Sequence, residues 1–277
     1  MRTRRSGLGE PADIARSAVP LALIVLAAAV PIARPFVLAG LVGGAAVAIR
    51  RDAPVRWAWA APIPVAVSLC WGLLPVPPDS PSGADCASIT SPTAVWRTAE
   101  AGIVIGTLAV LAWALRTRPV DLRRDLLLRM PARWVVRWSI LGFLIAGPVA
   151  LLLGPIVARP FFGEISYDVT VIGAIAPALL FAVANGSMEE LAYRGALLGW
   201  SARVIGVPAA VVGQAVVFGL AHAGADVTGS PLLLMAALGL GGLIAGVVAV
   251  RTRSLLLPVA VHIGLDIPIY YAFACAN

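Results

Sequence analysis

The sequence predicts an all-α fold, a polytopic transmembrane helix bundle of about eight or nine spans, and three observations carry that prediction. Apolar residues make up 60% of the 277 positions and charged residues only 13%, roughly half the charge of a soluble chain. Mean hydropathy is +0.92, more apolar surface than water can cover. Apolar stretches long enough to cross a bilayer alternate with short runs of arginine.

The expected spans are 16–33, 35–49, 57–76, 96–115 and 138–158, then 170–203, 206–223, 231–250 and 254–275. The first follows a basic start resembling a signal peptide, but another apolar segment comes at once, which favours an uncleaved helix. The second is short for a crossing and also suits half of a hairpin. Between the third and fourth, the polar, Pro/Ser-rich stretch 77–95 reads as an outer loop. The stretch 116–137 reads as a basic inner connector, with Trp134 and Trp138 as interface anchors. The chain divides there into residues 1–134, the N-terminal helices with the connector, and residues 135–277. In the eighth span Gly242 and Gly246 form a GxxxG pattern, expected to pack helices within the protein. No internal repeat is evident.

Every one of the 21 basic residues is arginine, which with the heavy use of Ala, Gly and Val points to a bacterial chain. With the N-terminus in the cytoplasm, eighteen arginines fall on the inner side and only Arg34, Arg97 and Arg159 on the outer, as the positive-inside rule requires. The expected location is therefore the bacterial cell membrane. The net charge of +7 sits in these connectors, where it meets the headgroups of the lipid bilayer; nucleic acid is not an expected partner. Cys70, Cys86 and Cys275 lack CxxC spacing. Cys86 and Cys275 fall on the outer side, where a disulfide is permitted, but free thiols are the expectation.

Ionisable groups at membrane depth are costly, about 2.5–3.5 kcal/mol each on the insertion scale, and mark a function by default. Both histidines of the chain, His222 and His262, lie in apolar spans, as do Glu189, Glu190, Arg194 and Asp266. Counted from the inner turns at 1.5 Å per residue, Glu190 and His222 lie about 20 and 23 Å up their helices, His262 and Asp266 about 14 and 20 Å. Three antiparallel helices thus bring these groups to a similar depth. Glu190 and Arg194, four apart in the favoured order, read as an ion pair. Glu189, turned about 100° away, lacks that counter-charge and suits a general base. His262 and Asp266 share a face, so Asp266 can orient the imidazole. Glu100, near the outer end of its span, reads as facing water or a neighbouring helix. One continuous long helix is expected through Gly186 and Ser187; a capping box of these residues with Glu190, and a helix break before the pair, is the alternative.

Glu189-Glu190-x-x-x-Arg194 resembles the EExxxR motif of the CPBP intramembrane proteases, which include type II CAAX prenyl endopeptidases and bacterial Abi-like proteins. Phe218-x-x-x-His222 resembles the family's second motif and His262-x-x-x-Asp266 its last; the resemblance covers roughly residues 135–275. It implies an intramembrane protease core over 135–277 in which Glu189 and His222 activate a water. His262 and Asp266 would stabilise the oxyanion or orient the site, with Glu190, Arg194 and Phe218 in support. The last motif position is commonly Asn in the CAAX enzymes and here is Asp266, which when ionised cannot donate to an oxyanion. The implied substrate is a membrane-associated peptide or protein, of prenylated CAAX type or a leader peptide. No cofactor is favoured. The alternative is a zinc enzyme with Glu189, His222 and His262 as ligands, and beyond it a proton-coupled transporter or an inactive scaffold.

Overall fold

The computed structural model describes residues 11–75, 84–117, 119–164, 171–223 and 228–275. Arg2, Arg4, Arg5 and Arg118, the side chain of Arg16, and positions 77–83 of the expected outer loop lie outside this description. The described residues are 84% helical, without a strand. The helices are α1 (Pro11–Ala29), α2 (Arg34–Arg50), α3 (Arg56–Ala60), α4 (Ile63–Trp71), α5 (Pro92–Ala114) and α6 (Pro119–Asp125). After the connector come α7 (Arg133–Phe162), α8 (Ile175–Glu189), a π-helical turn region (Glu190–Leu198), α9 (Gly199–Ile205), α10 (Val207–Ala221), α11 (Pro231–Thr252) and α12 (Leu256–Ala274).

Six stretches of the described residues are long and apolar enough to cross a membrane: Pro31–Arg50, Pro92–Ala114, Arg133–Phe162, Ile172–Ile205, Pro231–Thr252 and Leu256–Ala274. The protein is an integral membrane protein. Two of the other three expected spans take a shorter form, and the first is displaced toward the N-terminus. Pro62 and Pro64 interrupt the span expected at 57–76, dividing it into α3 and α4, because proline lacks the N–H that a helix interior needs. Helix α1 stops at Ala29, before Pro31. The span expected at 206–223 becomes the 15-residue α10, which rises only about 22 Å. It starts at Gly206, whose φ of 82° few other residues tolerate.

One apolar core joins both halves of the chain. Ile24, Leu41, Val65 and Val104 pack with Met188, Leu197, Trp200 and Phe218. Helices α10 and α11 approach closely: a Cβ on Gly219 would lie 2.4 Å from the Met235 carbonyl. Beside it Gln214 donates to the Gly242 carbonyl at 2.8 Å, and a Cβ on Gly246 would meet the Gln214 amide at 2.6 Å. The GxxxG pattern thus packs inside the protein. The basic connector is fixed as well. Asp125 pairs with Arg203 on α9, and the Leu255 N–H donates to the Leu127 carbonyl at 3.0 Å.

At the opposite end the expectation of free thiols is overturned. Cys86 and Cys275 form a disulfide, while Cys70 is free. Tertiary packing decides this: the Tyr270 hydroxyl donates to the Cys86 carbonyl at 2.8 Å and accepts from Ser91, the N-cap of α5. The end of α12 is thereby held against the 84–91 segment, 189 residues away in sequence.

Candidate active site

The site is built on α8 and its π-helical continuation, with α10 and α12 beside it. No break precedes the glutamate pair: α8 runs through Gly186 and Ser187 and passes directly into the π-helical Glu190–Leu198. The alternative of a capping box is set aside, since Ser187 is interior to a continuous helix. Such π-turns are rare and frequent at functional sites. Glu189 and Glu190 nevertheless approach one partner, each at a different ring nitrogen.

That partner is His262. Its Nδ1 lies 3.0 Å from Glu190 Oε1, and its Nε2 lies 3.7 Å from both Glu189 Oε2 and Asp266 Oδ2. Helix α12 comes this close because residue 186 is glycine: a Cβ there would lie 3.2 Å from Ile263 and 3.4 Å from the His262 Cβ. Glu190 therefore orients the imidazole, a role the four-residue spacing gave to Asp266. An N–H facing a carboxylate is the donor, so Nδ1 carries a proton. Glu190 also pairs with Arg194 at 3.1 Å, as the spacing predicts. Arg194 in turn lies over the Phe218 ring, 4.3 Å from its centroid.

Phe218 also meets the edge of His222, with ring centroids 5.1 Å apart. His222 caps the end of α10 and its Nδ1 faces the Phe218 carbonyl at 2.8 Å. A carbonyl accepts only, so this nitrogen is the donor and Nε2 of the neutral ring is an acceptor. Among the described residues the His222 ring has no carboxylate oxygen within 4 Å. A separation of this kind suits a water between the two groups.

The two glutamates are not equivalent. The Glu189 side chain is 14% exposed and that of Glu190 2%. Among the described residues, five of the ten buried polar side-chain atoms without a hydrogen bond belong to this cluster: Asn185 Oδ1, Glu189 Oε2, Glu190 Oε2, and Nε and Nη1 of Arg194. Unsatisfied buried groups are costly and few in native proteins, and they concentrate here.

Residues 171–267, which hold all three motifs, match the family model described as type II CAAX prenyl endopeptidase Rce1-like. Over this segment the chain is similar to that family, which supports the resemblance to the CPBP proteases. No curated protein and no solved structure gives a comparable match. The family is one of proteases, which makes a peptidase the coarse assignment.

The donor set of this segment does not fit a resident zinc ion. Among the described residues no three His, Cys, Asp or Glu side chains are grouped to hold a metal. His222 does not converge with Glu189 and His262 on one point.

Two features of the site were missed from sequence. Asn185 Nδ2 donates to Asp266 Oδ2 at 2.8 Å, so an amide stands beside the carboxylate of the last motif. Its signal was available: a polar residue in an apolar helix, four before Glu189 and on its face. Glu100, on α5, does face a neighbouring helix, accepting from Ser68 of α4 at 2.6 Å, and it is only 4% exposed. Nothing in its local sequence distinguishes that burial from exposure to water.

Proposed function

We propose that the protein is an intramembrane endopeptidase in which Glu189, as general base, activates a water for attack on a peptide carbonyl of a membrane-associated substrate. The observation that carries this reading is the meeting of Glu189, Glu190, Asp266 and His262, from two separate membrane helices, around a reachable Glu189 whose Oε2 forms no hydrogen bond. Glu189 takes one proton from water while His222 Nε2 accepts a hydrogen bond from it. The water oxygen bonds to the carbonyl carbon, and the carbonyl oxygen becomes the oxyanion. Protonated on both nitrogens, His262 keeps Nδ1–H on Glu190 and offers Nε2–H to that oxyanion in a site screened from bulk water. The proton held by Glu189 then passes to the departing nitrogen as the C–N bond breaks. Asp266 lies too far from Nε2 to hydrogen-bond it and, held by Asn185, balances the imidazolium charge. Buried Glu190 and Arg194 are positioning residues, and Phe218 supports Arg194 and His222 together.

Substrates of prenylated CAAX type come first, on the family match, with leader peptides second. The Cys86–Cys275 disulfide needs an oxidising compartment, which supports placing that end of the bundle outside. Together with the arginine distribution it supports a cytoplasmic N-terminus in a bacterial cell membrane. The test is cleavage of a quenched fluorescent farnesylated CAAX-type peptide by the purified protein in detergent, beside Glu189→Gln of equal melting temperature. Turnover that vanishes in the variant is expected. Equal turnover by both would sink the role of Glu189, and none by wild type would sink the CAAX-type substrate.

A further inference from the structure

Helices α7 and α12 pack through small residues: a Cβ on Gly142 would lie 2.8 Å from Val261, and one on Gly264 2.8 Å from Ala146. Along one side of that contact, toward the arginine-rich end of the bundle, runs a cleft of about 270 Å³. Val136, Ile140, Phe143 and Leu144 of α7 and Leu256 and Ala260 of α12 form its walls. Ser139, the one polar side chain in the lining, spends its proton on the Val135 carbonyl at 2.8 Å. Ile140 and Leu144 are 57% and 59% exposed, so the cleft opens sideways to the membrane. Val136 to Leu144 spans about 12 Å of helix, close to one leaflet of a hydrocarbon core about 30 Å thick.

The cleft does not lead to the catalytic cluster. His262 follows Ala260 by two residues, a rotation of about 200° around α12, and meets the glutamates of α8 on the other side. An occupant of the cleft therefore lies behind α12, away from Glu189, which favours a lipid over the chain being cut.

Charge identifies the kind of lipid. Leu128 and Ser254 form an antiparallel bridge, and the Leu255 N–H donates to the Leu127 carbonyl at 3.0 Å, a register that sets Arg129 opposite Arg253. Like charges placed opposite each other are destabilising. Arg253 also holds a left-handed backbone, φ 54°, at the end of α11, where glycine is the usual residue. Arg133 and Arg137 precede Ile140 by seven and three residues and so share its face of α7. All four arginines are exposed, and among the described residues none pairs with a carboxylate. Asp121 and Asp125, the acids nearest in sequence, pair with Arg124 and Arg203. Helices α7 and α12 both begin at this end, adding the positive ends of two helix dipoles.

We propose that the α7–α12 cleft binds one anionic phospholipid, its acyl chain along Val136–Leu144 and its phosphate among Arg129, Arg133, Arg137 and Arg253. The bound lipid braces α7 against the helix that carries His262. The site is separate from the catalytic cluster and stands whether or not the chain is a peptidase.

Native mass spectrometry of the full chain in detergent counts bound lipid during titration with dioleoyl phosphatidylglycerol or dioleoyl phosphatidylcholine. One phosphatidylglycerol is expected to bind ahead of any other lipid and to raise the melting temperature, as a ligand of the folded state must. Each arginine near a membrane surface is worth about 5-fold in affinity for anionic lipid. Arg133→Gln/Arg253→Gln is therefore expected to weaken phosphatidylglycerol about 25-fold and to leave phosphatidylcholine nearly unchanged. Ala260→Leu, which fills the cleft, is expected to weaken both. The arginine variant alters only exposed, unpaired side chains, so it tests the headgroup contact whatever Ala260→Leu does to folding. Equal affinity of wild type for the two lipids, or phosphatidylglycerol affinity unchanged in the arginine variant, overturns the proposal. Displacement of the lipid by inorganic phosphate would reduce the cleft to a free-anion site, and displacement by a farnesylated peptide would give it to the substrate; either result also overturns it.

Discussion

Removing Arg194 tests the electrostatic frame of the site most sharply. Arg194 and Glu190 are each 2% exposed, 3.1 Å apart, and held between α10 and α12. Arg194→Met keeps the length of the side chain and deletes the charge, leaving Glu190 with His262 as its partner. Breaking a buried pair from one side costs about 3–5 kcal/mol, and the lost packing on Phe218 adds about 0.5–2 kcal/mol. Glu190→Gln strands the guanidinium instead, with a loss of about 3–5 kcal/mol. The double variant strands neither charge and is expected to be more stable than the sum of the two losses by at least about 2 kcal/mol. The assay is equilibrium unfolding in detergent followed by tryptophan fluorescence, with Trp200 buried beside the π-helical region. Additive losses, or a loss below about 1 kcal/mol for Arg194→Met, would refute a coupled buried pair.

Three further outcomes are expected. His222→Gln should lower kcat by about 10²-fold or more, the usual worth of a general acid–base partner, with unfolding unchanged; a variant within about threefold of wild type in turnover would remove His222 from the chemistry. Asn185→Leu deprives buried Asp266 of its hydrogen bond, a destabilisation of about 1–3 kcal/mol, and Asn185→Asp should be worse because it sets a second carboxylate there; a neutral Asn185→Asp would contradict the observed contact. In the denatured, unreduced protein thiol titration should find Cys70 alone reactive, and Cys86→Ser should destabilise by about 2–5 kcal/mol; three reactive thiols before reduction would rule out the disulfide.

Much of the site was legible because helical spacing is local. The four-residue spacing of Glu190 and Arg194 fixed their pairing before any fold was known. The spacing of His262 and Asp266 put both on one face, but could not say which carboxylate faces Nδ1. That choice fell to Glu190, because α12 crosses α8 closely at Gly186.

The sequence by itself determined the membrane character, the helical class and the burial of Glu190, Arg194 and Asp266, since each follows from hydropathy and helical period over a few turns. Only the tertiary structure decided that Cys86 and Cys275 join, that Asn185 holds Asp266, that Glu100 is buried against Ser68, and that two expected spans are short helices. These depend on which surfaces meet across distances of up to 189 residues. No local period carries that information, because every apolar helix face in a membrane resembles the next until its partner is known.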